Sequence, residues 1–436
     1  MEPTSIGIAG ILVLLVFFAM GLPVGFAMAV VGFLGFSILK SFDAGLSMVS
    51  LETYNTFSNY YYASAIMFIW MGFVAYHVGI SKNLYKAMYT IIGNIRGGLA
   101  MTTVAACTAF GAICGSTLAT TATIGAVALP EMERYRYDKA LATGTVAAGG
   151  ILGTMIPPSI PLIVYGIFTE QSISELFVGA IIPGMLLMAC FMATIYIVTT
   201  RNSGSGPAGP ASSGREKMKA LLEGGTGETL VVFVVVLGGL FGDLFTPTEA
   251  GAVGAASILL VGLVRRRLGR KAFLSSLGDT AKTSAMIFLL VVGAEIFGTF
   301  MAASRLPSNL TDWAGSLPLP AVFLVCLMLL FQVIMGCFMD GIAVLLLSLP
   351  IVYPAVIALG YDPIWFGPLL TLVAGLGMIT PPVGLCAYVV FGLCKNAIPL
   401  HVIFKGIIPF VWACLVCIVL LVAFPEITLF LPRLMR

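Results

Sequence analysis

Apolar positions in this chain gather into long runs instead of the alternation that marks a half-buried strand or a surface helix. Runs cover residues 5–22, 24–39, 62–80, 139–170, 175–200, 228–245, 247–264, 283–303, 362–394 and 399–425. Crossing a bilayer takes about 20 apolar residues, so each run predicts a transmembrane helix. Two further runs, 99–130 and 318–357, are interrupted midway, at Gly115-Ser116-Thr117 and from Gly336 to Gly341. Their halves, about 15 residues each, are too short to cross. They predict re-entrant helical hairpins that enter and leave on one face. Two of the spanning runs are also broken, 139–170 at Pro157-Pro158 and 362–394 at Pro381-Pro382. Proline removes an amide donor and clashes with the preceding turn. Unwound backbone persists at membrane depth only where protein buries it or it lines a polar cavity.

Composition agrees. Of 436 residues, 59% are hydrophobic and 9% charged, with a mean hydropathy of +1.07, whereas soluble domains carry about 25% charged residues. This excludes a soluble enzyme, a nucleic-acid binder and a secreted disulfide scaffold. All nine cysteines lie in apolar stretches, including the Cys414/Cys417 pair, and read as packing residues. Only Met1-Glu2-Pro3-Thr4 precedes the first run, without the basic segment of a cleavable signal, so that run is kept as a helix. No Lys follows a Gly, so there is no Walker A loop and ATP is not the motor.

The net charge of +3 is small, but its placement is informative. With the first hairpin opening to the cytoplasm, 18 of the 22 Lys and Arg fall inside, leaving Lys40, Arg305, Arg433 and Arg436 outside. This satisfies the positive-inside rule. It puts both termini on the periplasmic side and opens the second hairpin to the outside. The stretch 201–227, rich in Gly, Ser and Pro at its start, reads as a cytoplasmic linker between a first half, 1–200, and a second, 228–436.

The halves repeat. A shift of 224 lays Pro23 on Pro247, Pro130 on Pro354, Pro157 and Pro158 on Pro381 and Pro382, and Gly153 on Gly377. Two more residues of shift lay Ile181-Ile182-Pro183 on Ile407-Ile408-Pro409. Each half holds five spans and one hairpin, so the second is inverted relative to the first. The fold class expected is an all-α polytopic membrane protein built as an inverted repeat. Inverted repeats with discontinuous helices in matching places point to a secondary transporter with its site at the midplane.

The chemistry concentrates at the breaks. The first constellation joins Gly115-Ser116-Thr117, Thr120 and Thr121 to the segment Gly149 to Ser159, which holds Gly153, Thr154, Ile156 and Pro158. The second joins Gly336 to Gly341 with Gly375 to Pro382. Glycines let backbone approach closely, prolines free carbonyls, and hydroxyls add hard oxygen ligands. Such cages suit a hard cation such as Na⁺, at least two ions for two cages, while half-helix N-termini attract a carboxylate. Thr117, Thr121, Thr154, Ser159 and Pro382 are the candidate substrate contacts. Asp340 stands where Ser116 stands in the other half. An ionisable group at that depth is a functional candidate, either neutralising a cation or taking part in a proton relay. Glu249, after Thr246-Pro247, reads as a helix cap, Glu295 as a relay or a helix-end partner, and His77 and His401 as interfacial residues. Lys82 to Asn94 and Arg270 to Lys282 are amphipathic stretches suited to lying flat at the interface. An ion channel would need a continuous polar pore. An intramembrane aspartyl protease would need a second Asp where Met378 stands.

The segments Gly111 to Gly125, Ile156-Pro157-Pro158-Ser159, Thr246 to Ala252, Met339-Asp340-Gly341 and Thr380-Pro381-Pro382 resemble, in order and over nearly the whole chain, the large membrane subunit of tripartite ATP-independent periplasmic (TRAP) transporters. The resemblance implies an elevator mechanism driven by Na⁺ in a bacterial inner membrane. It implies a small four-helix membrane subunit as partner, on a separate chain because nothing resembling it precedes Ser5. It also implies a periplasmic binding protein that delivers an organic acid: a dicarboxylate, sialic acid or another sugar acid, or a sulfonate. Sodium ligands implied by it are Ser116, Gly153, Ile156 and Pro158 in the first half, and Gly336, Asp340, Gly377 and Thr380 in the second. A standalone Na⁺- or H⁺-coupled carboxylate symporter of the same architecture is the alternative.

Overall fold

A computed structural model describes residues 2–202, 204–209, 213–222, 226–242, 244–316 and 318–435. Every regular element among them is a helix. The first half holds α1 (Pro3–Ala19), α2 (Val24–Leu39), α3 (Phe42–Ser58), α4 (Tyr62–Val78), α5 (Ile80–Ile92), α6 (Gly98–Cys114), α7 (Thr117–Arg134), α8 (Lys139–Gly149), α9 (Leu152–Met155), α10 (Ile160–Phe168) and α11 (Ile173–Arg201). The second holds α12 (Gly214–Leu222), α13 (Thr226–Phe241), α14 (Pro247–Val264), α15 (Arg270–Ser304), α16 (Leu306–Ser316), α17 (Ala321–Gly336), α18 (Gly341–Ala358), α19 (Pro363–Ile379), α20 (Leu385–Leu393), α21 (Leu400–Ala423) and α22 (Glu426–Met435). The repeat is visible in this order. Moved back by 224, α18 covers α7 and α19 covers α8–α9 end to end, while α13, α14 and α17 fall on α1, α2 and α6. Both hairpin interruptions and both proline breaks lie where the glycine and proline clusters put them.

The membrane-spanning character follows from length and polarity. Five helices, α11, α14, α15, α18 and α21, are long and apolar enough to cross on their own, and seven spans result if two bent pairs count as one each. The bent pairs are α3–α4, at 56°, and α8–α9 with α10, at 42°. Of the five, α18 packs against α17 as α7 packs against α6, which makes each pair a hairpin.

The helices pack as two bundles. In one, the halves exchange partners: α2 lies along α15, and α14 along α4. Small residues make this approach close. A β-carbon on Gly32 would sit 2.8 Å from the backbone of Ile296, and one on Gly25 would sit 2.7 Å from the Leu289 carbonyl. Without water to drive association, such backbone proximity is how membrane helices gain dispersion energy. In the other bundle α8 lies along α21, α11 along α21 and α22, and α17 along α19. There Gly144 and Gly406 meet backbone to backbone.

Four findings go beyond the sequence reading. Residues 42–58 form a helix, started by Ser41, whose Oγ accepts from the Ala44 amide at 3.2 Å. Residues 270–282 are not a separate flat helix but continue without a break into the span of α15, whereas 80–92 do form a helix of their own. His77 pairs with Asp279 at 2.9 Å, whereas Glu249 is the cap the sequence indicates, closing a capping box with Thr246 and accepting from its amide at 2.8 Å. The stretch joining the halves is tied down along 204–209. Gly97 and Asp138 donate their amides to the Ser205–Gly206 carbonyls at 2.9 Å each, Tyr137 Oη donates to the Pro207 carbonyl at 2.9 Å, and the Gly209 amide donates to Gly93 at 2.8 Å. The strap thereby joins the end of α5 to the feet of α6 and α8.

Candidate functional site

In the first half, α6 stops because Gly115 turns left-handed (φ +62°), a conformation glycine takes without steric cost. Ser116 then starts α7 by accepting from the Ala119 amide at 3.4 Å. The broken helix α8–α10 runs beside this tip. A β-carbon on Gly111 would lie 2.5 Å from Gly153 Cα, so the two backbones touch. Past the Pro157–Pro158 cis bond, the Ile160 amide donates to the Gly115 carbonyl at 3.4 Å.

The second half repeats the arrangement. Asp340 starts α18 as Ser116 starts α7, its Oδ2 accepting from the Ile342 amide at 3.1 Å. A β-carbon on Gly377 would lie 2.6 Å from Gly336 Cα. Beyond the Pro381–Pro382 cis bond, Gly384 donates its amide to the Cys337 carbonyl at 3.1 Å. Gly384 is the repeat mate of Ile160.

The two constellations enclose one cavity of about 340 Å³, lined by Gly115, Ser116, Thr117, Thr154 and Pro161 from the first half and by Asp340, Gly341, Ile342, Thr371, Ala374, Gly375 and Met378 from the second. Of the sequence-derived candidates it brings together Ser116, Thr117, Thr154 and Asp340. Thr117 and Thr154 join their hydroxyls across the gap between hairpin and broken helix at 3.0 Å. Thr121 sits one turn back, bonding the Thr117 carbonyl at 2.9 Å. Ser159 is buried and caps α10, and Pro382 is exposed; neither lines the cavity. Gly153, Ile156 and Pro158 lie buried at the first break, Gly336 and Gly377 lie buried in the second constellation with Thr380 half-buried, and none of the six lines the cavity. The proline pairs differ in setting, since Pro157 and Pro158 are buried while Pro381 and Pro382 are exposed.

Sequence reasoning missed Pro161, Ile342, Thr371 and Ala374 as lining residues, and it missed the exceptional state of Thr120. The Thr120 hydroxyl is buried without a hydrogen-bond partner, and it crowds, with the Ser116 carbonyl, the space where Gly153 would carry a β-carbon. The helical spacing of four from Ser116 was the available signal. Among the described residues no Lys, Arg or His lines the cavity, and Asp340 is its one ionisable group. The N-termini of α7 and α18 open onto it, and the aligned peptide dipoles make both ends attractive to an anion.

A family model described as "Tripartite ATP-independent periplasmic transporter, DctM component" matches residues 11–427. The chain belongs to the DctM family. As a DctM-family protein it is a multi-span membrane component of a transporter and not an enzyme. It is 32% identical over 418 residues to the sialic acid TRAP transporter large permease SiaM of Vibrio cholerae serotype O1, covering 95% of each chain. It is 32% identical over 386 residues to the C4-dicarboxylate TRAP transporter large permease DctM of Pseudomonas aeruginosa, covering 88% of this chain and 89% of that one. In fold it is similar to the solved Alcanivorax borkumensis YdaH transporter, with a TM-score of 0.62 at 15% identity over 88% and 89% of the two chains.

Proposed function

We propose that this DctM-family permease imports an organic acid delivered by a periplasmic binding protein, drives that import with at least two Na⁺ ions, and moves the substrate by elevator-type alternating access. The observation that carries the reading is the cavity shared by the two hairpin tips, with helix N-termini and hydroxyls on its walls and no basic side chain. A carboxylate there is held by helix ends, by the Thr117–Thr154 pair and by cations bound nearby. Two repeat-related oxygen cages supply those cations. Around Gly153, the unpartnered Thr120 hydroxyl and the Ser116 carbonyl converge. Around Gly377, the Val333 carbonyl lies 2.9 Å from a would-be β-carbon, and Asp340 and Thr380 flank the break. Ser116, Gly153, Ile156 and Pro158 would form the first cation site, and Gly336, Asp340, Gly377 and Thr380 the second.

The packing supports the elevator: both hairpins and both broken helices belong to one bundle, and the α2–α15 and α14–α4 pairs to the other. The relatives named for sialic acid and for C4-dicarboxylates support an organic-acid substrate, and the basic loops support an inner-membrane orientation with both termini periplasmic. A small membrane subunit and a binding protein complete the assembly in this reading. The test is uptake of labelled organic acids into proteoliposomes holding this chain with its small partner. Uptake that needs both an inward Na⁺ gradient and the binding protein supports the tripartite reading. Uptake with Na⁺ alone makes the chain a standalone symporter, and uptake indifferent to replacing Na⁺ by K⁺ removes sodium from the mechanism.

A further inference from the structure

Four helix ends in the second bundle finish with the same turn, in which a residue at positive φ sits between two backward main-chain hydrogen bonds. The turns carry Arg136 (φ 57°) after α7, Glu170 (φ 55°) after α10, Gly360 (φ 83°) after α18 and Lys395 (φ 49°) after α20. In each, the next amide reaches back five residues: Tyr137 to Met132, Gln171 to Gly166, Tyr361 to Val356 and Asn396 to Phe391. By the shift of 224 Arg136 matches Gly360, and by the equivalent hydrogen bonds of their turns Lys395 matches Glu170. The turns therefore pair into two related places on opposite faces of the bundle.

These places are finished differently. At the Gly360–Glu170 place side chains bridge the two turns. Tyr353 meets Tyr165 edge to face with centroids 6.1 Å apart, Gln171 Nε2 reaches Tyr353 Oη at 3.4 Å, and Tyr165 Oη donates to the Pro363 carbonyl at 2.7 Å. At the Arg136–Lys395 place Leu129 stands where Tyr353 stands, and an aliphatic side chain can neither make the edge-to-face contact nor accept a hydrogen bond. A cavity of about 1490 Å³ is left there, with Leu129, Pro130, Leu393 and Ile398 among its walls. Its rim carries Arg136, Lys139 and Lys395 against the single carboxylate of Glu133. Lys139 stands where the other place has Pro363. Among the described residues none of the three cations forms an ion pair. Two of them occupy backbone positions where glycine fits best, so charge is held at the rim against local conformational preference.

Three cations lining one largely apolar cavity match an amphiphile with a negative head. We propose that this cavity holds an anionic phospholipid, its phosphate on Arg136, Lys139 and Lys395 and an acyl chain along Leu129, Leu393 and Ile398. The apolar wall favours a lipid over a free phosphate compound, and the place lies on the basic face of the chain, where anionic headgroups gather.

The experiment is native mass spectrometry of the purified full chain in detergent, titrated with phosphatidylglycerol, phosphatidylcholine or inorganic phosphate. The variant is Arg136→Gly/Lys139→Gln/Lys395→Gly, in which glycine suits both left-handed positions. The control, Arg134→Gln/Arg215→Gln/Lys217→Gln, removes as many charges outside the cavity. At roughly fivefold per cation, phosphatidylglycerol binding falls on the order of 100-fold in the variant and stays near wild type in the control. Thermal unfolding without lipid checks the fold, and Lys395→Gly alone, at roughly fivefold, decides the matter should the triple variant misfold. Equal phosphatidylglycerol binding in variant and wild type overturns the proposal, as does phosphatidylcholine binding as well as phosphatidylglycerol. Inorganic phosphate competing at equal affinity overturns the lipid and leaves a site for soluble phosphate compounds.

Discussion

The carboxylate of Asp340 caps α18 through the Ile342 amide and is also the one ionisable group among the described cavity residues. One substitution separates the roles, because Asn caps a helix about as well as Asp. Asp340→Asn is expected to stay folded and lose a charged ligand worth about 1.5–3 kcal/mol, which lowers apparent Na⁺ affinity roughly 10- to 150-fold. Uptake measured against Na⁺ concentration reads this directly, and an unchanged curve would leave Asp340 a cap only. Thr154 tests the facing wall. Its hydroxyl meets Thr117 at 3.0 Å, so Thr154→Val strands a buried hydroxyl and costs about 1–2 kcal/mol. Thr154→Ser keeps the pair and should unfold at the wild-type temperature. Residue-scale features near the breaks were legible in the sequence because Gly, Pro and hydroxyl residues cluster there for a stateable reason. Thr371 and Ala374 were not, since nothing local marks them and only contact between the halves makes them lining residues.

At the scale of elements, each hairpin is held to its broken helix by backbone touching backbone. Gly377→Ala puts a methyl 2.6 Å from Gly336 Cα, where no flexible side chain can yield. Overpacking of this kind costs about 1–3 kcal/mol, so a lowered unfolding temperature together with lost uptake is expected. Gly392→Ala, on α20 with nothing within 4 Å of its β-carbon position, is the control and should be neutral or slightly stabilising. The strap gives a second test. Tyr137 Oη accepts from the buried Leu99 amide at 3.1 Å and donates to the Pro207 carbonyl at 2.9 Å. Tyr137→Phe removes both bonds, costs about 1–3 kcal/mol, and should speed proteolytic cleavage within 203–213; unchanged cleavage would mean that the remaining main-chain bonds suffice. Hairpins, broken helices and the capping box were legible because punctuating residues sit at their ends. Helix α3 was not, since Asp43, Glu52 and Asn55 dilute its apolar residues below any spanning signal. The strap was not either, because glycine and serine in sequence look like a tether and its bonds run to residues 67 to 116 positions away.

At the scale of the whole molecule, an elevator requires one bundle to slide past the other, and the structure marks a seam where that can happen. An apolar crevice of about 1460 Å³ opens between α13 and α11, bordered by α5 and α6, with Leu237 on the α13 side and Met185, Met188 and Met192 on the α11 side. Packed interiors resist sliding because close-fitting side chains interlock, whereas an open crevice faced by flexible methionines offers little to interlock. Cysteines at Leu237 and Met185, joined by a reducible bifunctional reagent, should bring Na⁺-driven uptake down to the level without Na⁺, and reduction should restore it. The comparison is a pair within one bundle, at Met71 and Gly254, where a β-carbon on the glycine would lie 2.5 Å from the methionine sulfur. Cross-linking there joins helices that travel together and should leave uptake intact, with the unmutated chain treated in parallel to account for its nine native cysteines. Full uptake by the Leu237–Met185 cross-linked protein would mean that this seam does not move, and alternating access would then have to come from the hairpins opening within a fixed bundle.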